Sequence, residues 1–144
     1  MVNLAATFKS SVMQNPPPPV DPIALLFAYG TLKRGMENHR VIAEAGGEFV
    51  GEARTLAEYP LVVDGLPCLL DRRGTGRVVH GEVFRIAGAE GWELLDRFEG
   101  HPELYRRRVE RVVLDRAGEV MAWIYFFAGT DAKLAGRPHL TSFP

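Results

Sequence analysis

The chain carries one cysteine in 144 residues, Cys68. A lone thiol excludes an intramolecular disulfide framework and a cysteine-built zinc site. It fits a reducing compartment, and the expected location is cytoplasmic. Long hydrophobic runs are also missing. The longest, Ile23 to Tyr29, is far too short to cross a bilayer. The first residues lack a basic stretch, and Lys9 interrupts their weak apolar run, so they make a poor secretory signal. An excess of either charge is absent: 17 Lys plus Arg stand against 18 Asp plus Glu, for a net charge of −1. That argues against a polyanion-binding surface, so neither nucleic acid nor a membrane is expected as a partner.

Three kinds of chemistry are missing as well. The histidines are His39, His80, His101 and His139, and no pair has close ligand spacing, so no metal is expected. Gly30-Thr31-Leu32-Lys33-Arg34-Gly35 opens like a phosphate-binding loop, but Met36 stands where the phosphate-binding lysine must be. No Gly-x-Ser-x-Gly nucleophile turn exists.

What is present is globular: 47% hydrophobic and 24% charged residues, at a length suited to one domain. Residues 1–22 stand apart. They include Asn15-Pro16-Pro17-Pro18-Pro19 and Asp21-Pro22, and successive prolines favour extended, unpaired backbone. They are expected to form a flexible, proline-rich tail, with a single domain over residues 23–144.

Within that domain, Ala24 to Tyr29 reads as a strand buried on both faces and broken by Gly30. Asn38 to Ala45 reads as a short helix ended by Gly46-Gly47, and Glu48 to Leu56 as a half-buried strand. Leu61-Val62-Val63 and Cys68-Leu69-Leu70 are short strands, and Arg77 to Ile86 is a longer one. Glu90 to Glu99 has a helical stripe of Trp92, Leu95 and Phe98, stopped by Gly100 and Pro102. Tyr105 to Leu114 and Met121 to Phe127 complete the strands, and the last 15 or so residues read as irregular. The class is α+β, mainly antiparallel, with one or two short helices. Closure into a small barrel would remove exposed edges.

Two features draw attention. The loop Tyr29-Gly30-Thr31-Leu32 follows a buried strand, where a glycine lets the backbone turn and present successive N–H groups to an anion. Lys33 and Arg34 add positive potential to it. The alternative is a plain strand-to-loop turn. Glu99 is the second feature. It ends the apolar helix beside Phe98, at the negative end of the dipole, and both surroundings raise a carboxyl pKa toward the range useful for proton shuttling. The alternative is a solvated terminal glutamate. Asp96 and Glu93, on the polar side of the same helix, read as surface charges. Cys68 reads as a small core residue. Arg106-Arg107-Arg108 reads as a charge-paired, solvated strand rather than a nucleic-acid patch.

Phe27-Ala28-Tyr29-Gly30-Thr31-Leu32-Lys33-Arg34-Gly35, followed by Asn38-His39-Arg40-Val41, resembles the gamma-glutamylamine cyclotransferases, within the wider gamma-glutamylcyclotransferase or AIG2-like family. The resemblance continues in order through Tyr59-Pro60-Leu61-Val62, Gly76 to Val83, Leu94 to Gly100 with Pro102 and Leu104-Tyr105, and Ala122-Trp123-Ile124-Tyr125. It implies a small mixed barrel flanked by helices. It implies cofactor-free conversion of a gamma-glutamyl amide to 5-oxoproline and a free amine, so the expected partner is a small gamma-glutamyl compound. Tyr29, Gly30, Thr31 and Leu32 match the family's substrate-binding loop, and Glu99 matches its general acid/base. A dipeptide, a protected biosynthetic intermediate, or a binding module without turnover are the other readings of the same pattern. The retained Glu99 speaks against the last, because a mere binder needs no proton carrier.

Overall fold

The computed structural model describes residues 23–129, 134 and 136–144. The expected tail, residues 1–22, lies outside the described residues. Seven strands and two helices follow one another: β1 (Leu25–Ala28), α1 (His39–Glu44), β2 (Glu48–Thr55), β3 (Leu61–Asp64), β4 (Leu66–Leu69), β5 (His80–Arg85), α2 (Gly88–Glu99), β6 (Tyr105–Leu114) and β7 (Gly118–Phe127). Five strands close a barrel in the order β1-β5-β2-β6-β7, and β3-β4 form a separate hairpin.

The pairing is antiparallel except where β1 meets β7, which are parallel at Leu26 and Trp123. That contact closes the ring and makes the barrel mixed. Short links do not make all sequence neighbours pair: β5 lies between β1 and β2, and only β6-β7 is a hairpin within the barrel.

Side-chain alternation along β1 shows how one short strand serves two cores. Phe27 joins Val83, Val112, Ala122 and Ile124 in one buried cluster. Leu26 and Ala28 join Val41, Ile42, Trp92 and Leu95, the apolar faces of the two helices, in another. A strand buried on both faces reads as a continuous apolar run, as this one does.

Two boundaries differ from expectation by three residues. Strand β5 begins at His80 rather than Arg77, because Gly76 at φ +87° turns the chain and Arg77 makes only an isolated bridge to Tyr59. Strand β7 begins at Gly118, three residues before Met121, because it pairs with β6 from Leu114 onward. Residues 136–144 are irregular but docked. The amide of Leu140 donates to the Leu61 carbonyl at 2.9 Å, and that of His80 to Thr141 at 2.7 Å. No helix among the described residues is long and apolar enough to cross a membrane.

Candidate active site

A cavity of about 120 Å³ opens where β1 ends. Residues 29–32 and Asn38 form one wall, and Leu66 and Pro67 of the β3-β4 hairpin form another. Phe98 and Glu99 at the end of α2 complete it with Leu104, Tyr105 and Tyr125. The loop and the glutamate singled out in the sequence, 70 residues apart, therefore face one space.

The loop is held from behind by the start of α1. The Asn38 amide donates to the Thr31 carbonyl at 3.0 Å, its side-chain Nδ2 donates to Thr31 Oγ1 at 3.0 Å, and His39 Nδ1 lies 2.9 Å from the Leu32 carbonyl. The amides of Gly30, Thr31 and Leu32 donate to no acceptor among the described residues. Successive N–H groups at a cavity wall suit a bound carboxylate. Gly30 is needed here for space. A Cβ on it would sit 2.6 Å from Pro67 Cγ, whereas its own φ lies outside the left-handed region.

The expected positive potential from the next two residues is not found at the cavity. Arg34 turns away to Glu82 at 3.3 Å and Glu52 at 3.8 Å, with its guanidinium over Phe49. Lys33 Nζ donates to the Phe143 carbonyl at 3.2 Å. Both cations are drawn off by partners distant in sequence, which local spacing does not reveal.

Glu99 ends α2, and Gly100 follows it at φ +66° as the left-handed residue that closes the helix. The amide of His101 then bonds the Asp96 carbonyl at 2.9 Å. The Glu99 carboxyl has no hydrogen bond or ion pair among the described residues, and burial raises its pKa to about 7. Desolvation is the cause, in line with the water-excluding surroundings read from the sequence.

Two other shielded carboxylates show the contrast. Glu110 accepts from the Tyr59 hydroxyl at 2.7 Å and is paired with Arg73 at 3.1 Å and with Arg108. Asp96 accepts from Tyr125 at 2.7 Å and from Arg107 at 2.7 and 3.2 Å. Its side chain is 24% exposed, so it is no free surface charge, contrary to the expectation from helical periodicity. Burial pushes its pKa up, but the hydrogen bonds from Arg107 and Tyr125 outweigh that and hold it below the usual carboxylate value. Glu93 is exposed, as expected. Of the run Arg106-Arg107-Arg108 in β6, Arg107 pairs with Asp96, and Arg108 with Asp71 and Glu110. Cys68 is buried, and burial raises its thiol pKa.

Three tyrosines surround Glu99 and were not singled out by sequence reasoning as site residues beyond Tyr29. Their hydroxyls are committed: Tyr29 donates to the Tyr125 carbonyl at 2.6 Å, Tyr105 to the Pro67 carbonyl at 2.7 Å, and Tyr125 to Asp96. Burial is the main cause that raises the pKa of each, so all three keep their protons at neutral pH. Tyr105, Tyr125 and Asn38 lay within the motif stretches, but nothing in local spacing set them apart from core residues.

Comparison with known proteins places the chain in a family and supports the fold. Residues 26–142 match the family described as gamma-glutamyl cyclotransferase, AIG2-like. The chain is 41% identical to a human gamma-glutamylaminecyclotransferase over 84% of its own length and 90% of that protein. It is 36% identical to the bovine protein of that name, over 84% and 76%. An AIG2-like protein from mouse, solved by crystallography, superposes with a TM-score of 0.79 at 30% identity, covering 85% of this chain and 88% of that one. With the motifs in order along the sequence, the barrel that assembles them and relatives that span most of its length, the chain belongs to the gamma-glutamyl cyclotransferase, AIG2-like family and is an enzyme of it.

Proposed function

We propose that the chain converts a gamma-glutamyl amine to 5-oxoproline and the free amine, with Glu99 as general acid/base. The observation that carries this reading is a shielded carboxyl with a pKa near 7, across a cavity from a loop of amides, all of them without a hydrogen-bond partner among the described residues. The loop amides of Gly30, Thr31 and Leu32 receive the substrate's alpha-carboxylate and fold the glutamyl chain back. The alpha-amine attacks its own gamma-carbonyl and passes a proton to Glu99. The carbon–nitrogen bond to the leaving amine then breaks, and Glu99 returns the proton to that nitrogen. Because the attack closes a five-membered ring, holding the reactive fold is worth an effective molarity of about 10^5 M or more. The tyrosine hydroxyls are committed to protein acceptors and act as walls.

The relatives named gamma-glutamylaminecyclotransferase support the amine as leaving group. So does the wall itself. Among the described residues no lysine or arginine lines the cavity, so a second carboxylate on the leaving group, as in a dipeptide, finds no cation there from these residues. The test is a panel of gamma-glutamyl amines and dipeptides with 5-oxoproline measured by mass spectrometry. Turnover of the amines, with dipeptides at least about tenfold poorer in kcat/KM, is the expected result. A panel in which no amine yields 5-oxoproline overturns the proposal.

A further inference from the structure

Asp96 precedes Glu99 by three residues, so the two side chains emerge as neighbours on one side of α2, about one turn apart. Glu99 faces the cavity, whereas Asp96 is held by β6 and β7. Its Oδ1 accepts from both Arg107 Nε and the Tyr125 hydroxyl at 2.7 Å, and its Oδ2 accepts from the second arm of the Arg107 guanidinium at 3.2 Å. A planar fork on a carboxylate fixes orientation as well as distance. The fork is itself confined. The Arg107 guanidinium lies 4.7 Å from the Trp92 ring centre and 4.4 Å from that of Trp123, so one indole from α2 and one from β7 enclose it. Each such contact adds attraction to a cation.

Arg107 also grips the chain beyond Glu99, since its backbone amide donates to His101 Nδ1 at 3.2 Å. Glu99 therefore lies between two anchors, Asp96 and His101, that both lead to Arg107. Tyr125 extends the connection to the substrate side: its carbonyl accepts from the Tyr29 hydroxyl at 2.6 Å, next to Gly30.

We infer that Asp96 is a positioning residue, which through Arg107 and Tyr125 sets the distance between Glu99 and the loop that holds the substrate. The inference rests on the reading of Glu99 as acid/base. A turn of helix closed by glycine has little stiffness of its own, and proton transfer demands hydrogen-bond reach. A small misplacement of the carboxyl is enough to cost one or two orders of magnitude in rate. The loop that binds the substrate stands on β1 and α1, so loss of the clamp acts on the chemical step and leaves binding largely intact.

The experiment compares Asp96→Asn, Tyr125→Phe, the double variant and Glu99→Gln, on the best gamma-glutamyl amine of the panel. Rates are expressed per folded molecule, at temperatures well below each variant's Tm. The expected result for Asp96→Asn is a kcat at least about tenfold lower with KM within about threefold. Tyr125→Phe shifts kcat in the same direction, and the double variant falls no more than about threefold below the worse single one, since both break one network. A merely structural role would lower Tm and leave kcat per folded molecule unchanged. Should Asp96→Asn not fold, Tyr125→Phe, which removes a single oxygen, decides. If either single variant keeps kcat within about twofold while Glu99→Gln is inactive, the positioning role is wrong and the acid/base reading stands. A rise in KM at constant kcat, or independent losses that multiply in the double variant, also overturns it. If Glu99→Gln itself retains full turnover, both readings fail together.

Discussion

Two carboxyls three residues apart on one helix titrate in opposite directions. Asp96, with its hydroxyl and guanidinium donors, stays ionised, while Glu99, with no partner among the described residues, is raised to about 7 by burial. Environments that push neighbouring groups apart in this way mark which of them moves protons. The Glu99→Gln variant keeps the shape of the side chain and loses its basicity, so kcat is expected to fall by at least about 10^2-fold. In the parent enzyme, kcat should rise with pH through about 7, because only the ionised carboxylate accepts the amine proton. A profile whose acid limb lies near pH 4 would remove Glu99 from that role. The same shift has a stability consequence. A carboxyl whose pKa is raised in the folded state favours folding below the unfolded pKa, near 4.5, and that contribution is lost as pH rises through about 7. The loss is at most about 3 kcal/mol, less whatever solvent reaches the group. Glu99→Gln should therefore raise Tm at pH 8 and leave it unchanged at pH 4, measured by thermal unfolding at both. An equal Tm at pH 8 would show that the carboxyl is well solvated.

At the scale of elements, the site depends on how closely the end of β1 approaches the β3-β4 hairpin. Gly30 and Pro67 meet there with no room for a Cβ. Overpacking of this kind costs typically about 1–3 kcal/mol, and either the loop or the hairpin must move. Both line the cavity, so Gly30→Val should lower kcat/KM at least about tenfold while Tm drops by only a few degrees. Removing part of the obstruction with Pro67→Ala in the same chain should recover some of the loss. If Gly30→Val melts far lower yet its folded fraction turns over normally, the loop is only a turn and the anion site lies elsewhere.

For the whole molecule, the C-terminal segment acts as a strap over the face that carries the hairpin. Arg137 bonds the Val63 carbonyl at 3.1 Å and Asp64 at 2.5 Å, Leu140 bonds Leu61, and Thr141 receives the amide of His80. The Phe143 carbonyl then accepts from Lys33, beside the Tyr29–Leu32 loop. Deleting residues 137–144 removes these ties. Most are near the surface, and each is worth about 1 kcal/mol or less. The expected outcome is a Tm several degrees lower and a KM several-fold higher, with kcat per folded molecule within about threefold. An unchanged KM would mean that the strap stabilises the hairpin without shaping the site.

The sequence by itself determined the element types and picked out two segments that line one cavity. An apolar run broken by glycine, and an amphipathic helix stopped by Gly100 with Glu99 as its last residue, are local patterns, and local sterics and periodicity decide them. The motif series added the family and the small mixed barrel. Tertiary structure alone decided the rest, because each remaining feature depends on contacts between residues far apart in the chain. It placed β5 between β1 and β2, closed the ring through the parallel contact of Leu26 with Trp123, and drew Arg34 away to Glu82 and Glu52. It turned Asp96 from an apparent surface charge into the partner of Arg107 and Tyr125. It also showed why position 30 is glycine: Pro67 stands 37 positions along the chain, and only the folded barrel brings its ring against that loop.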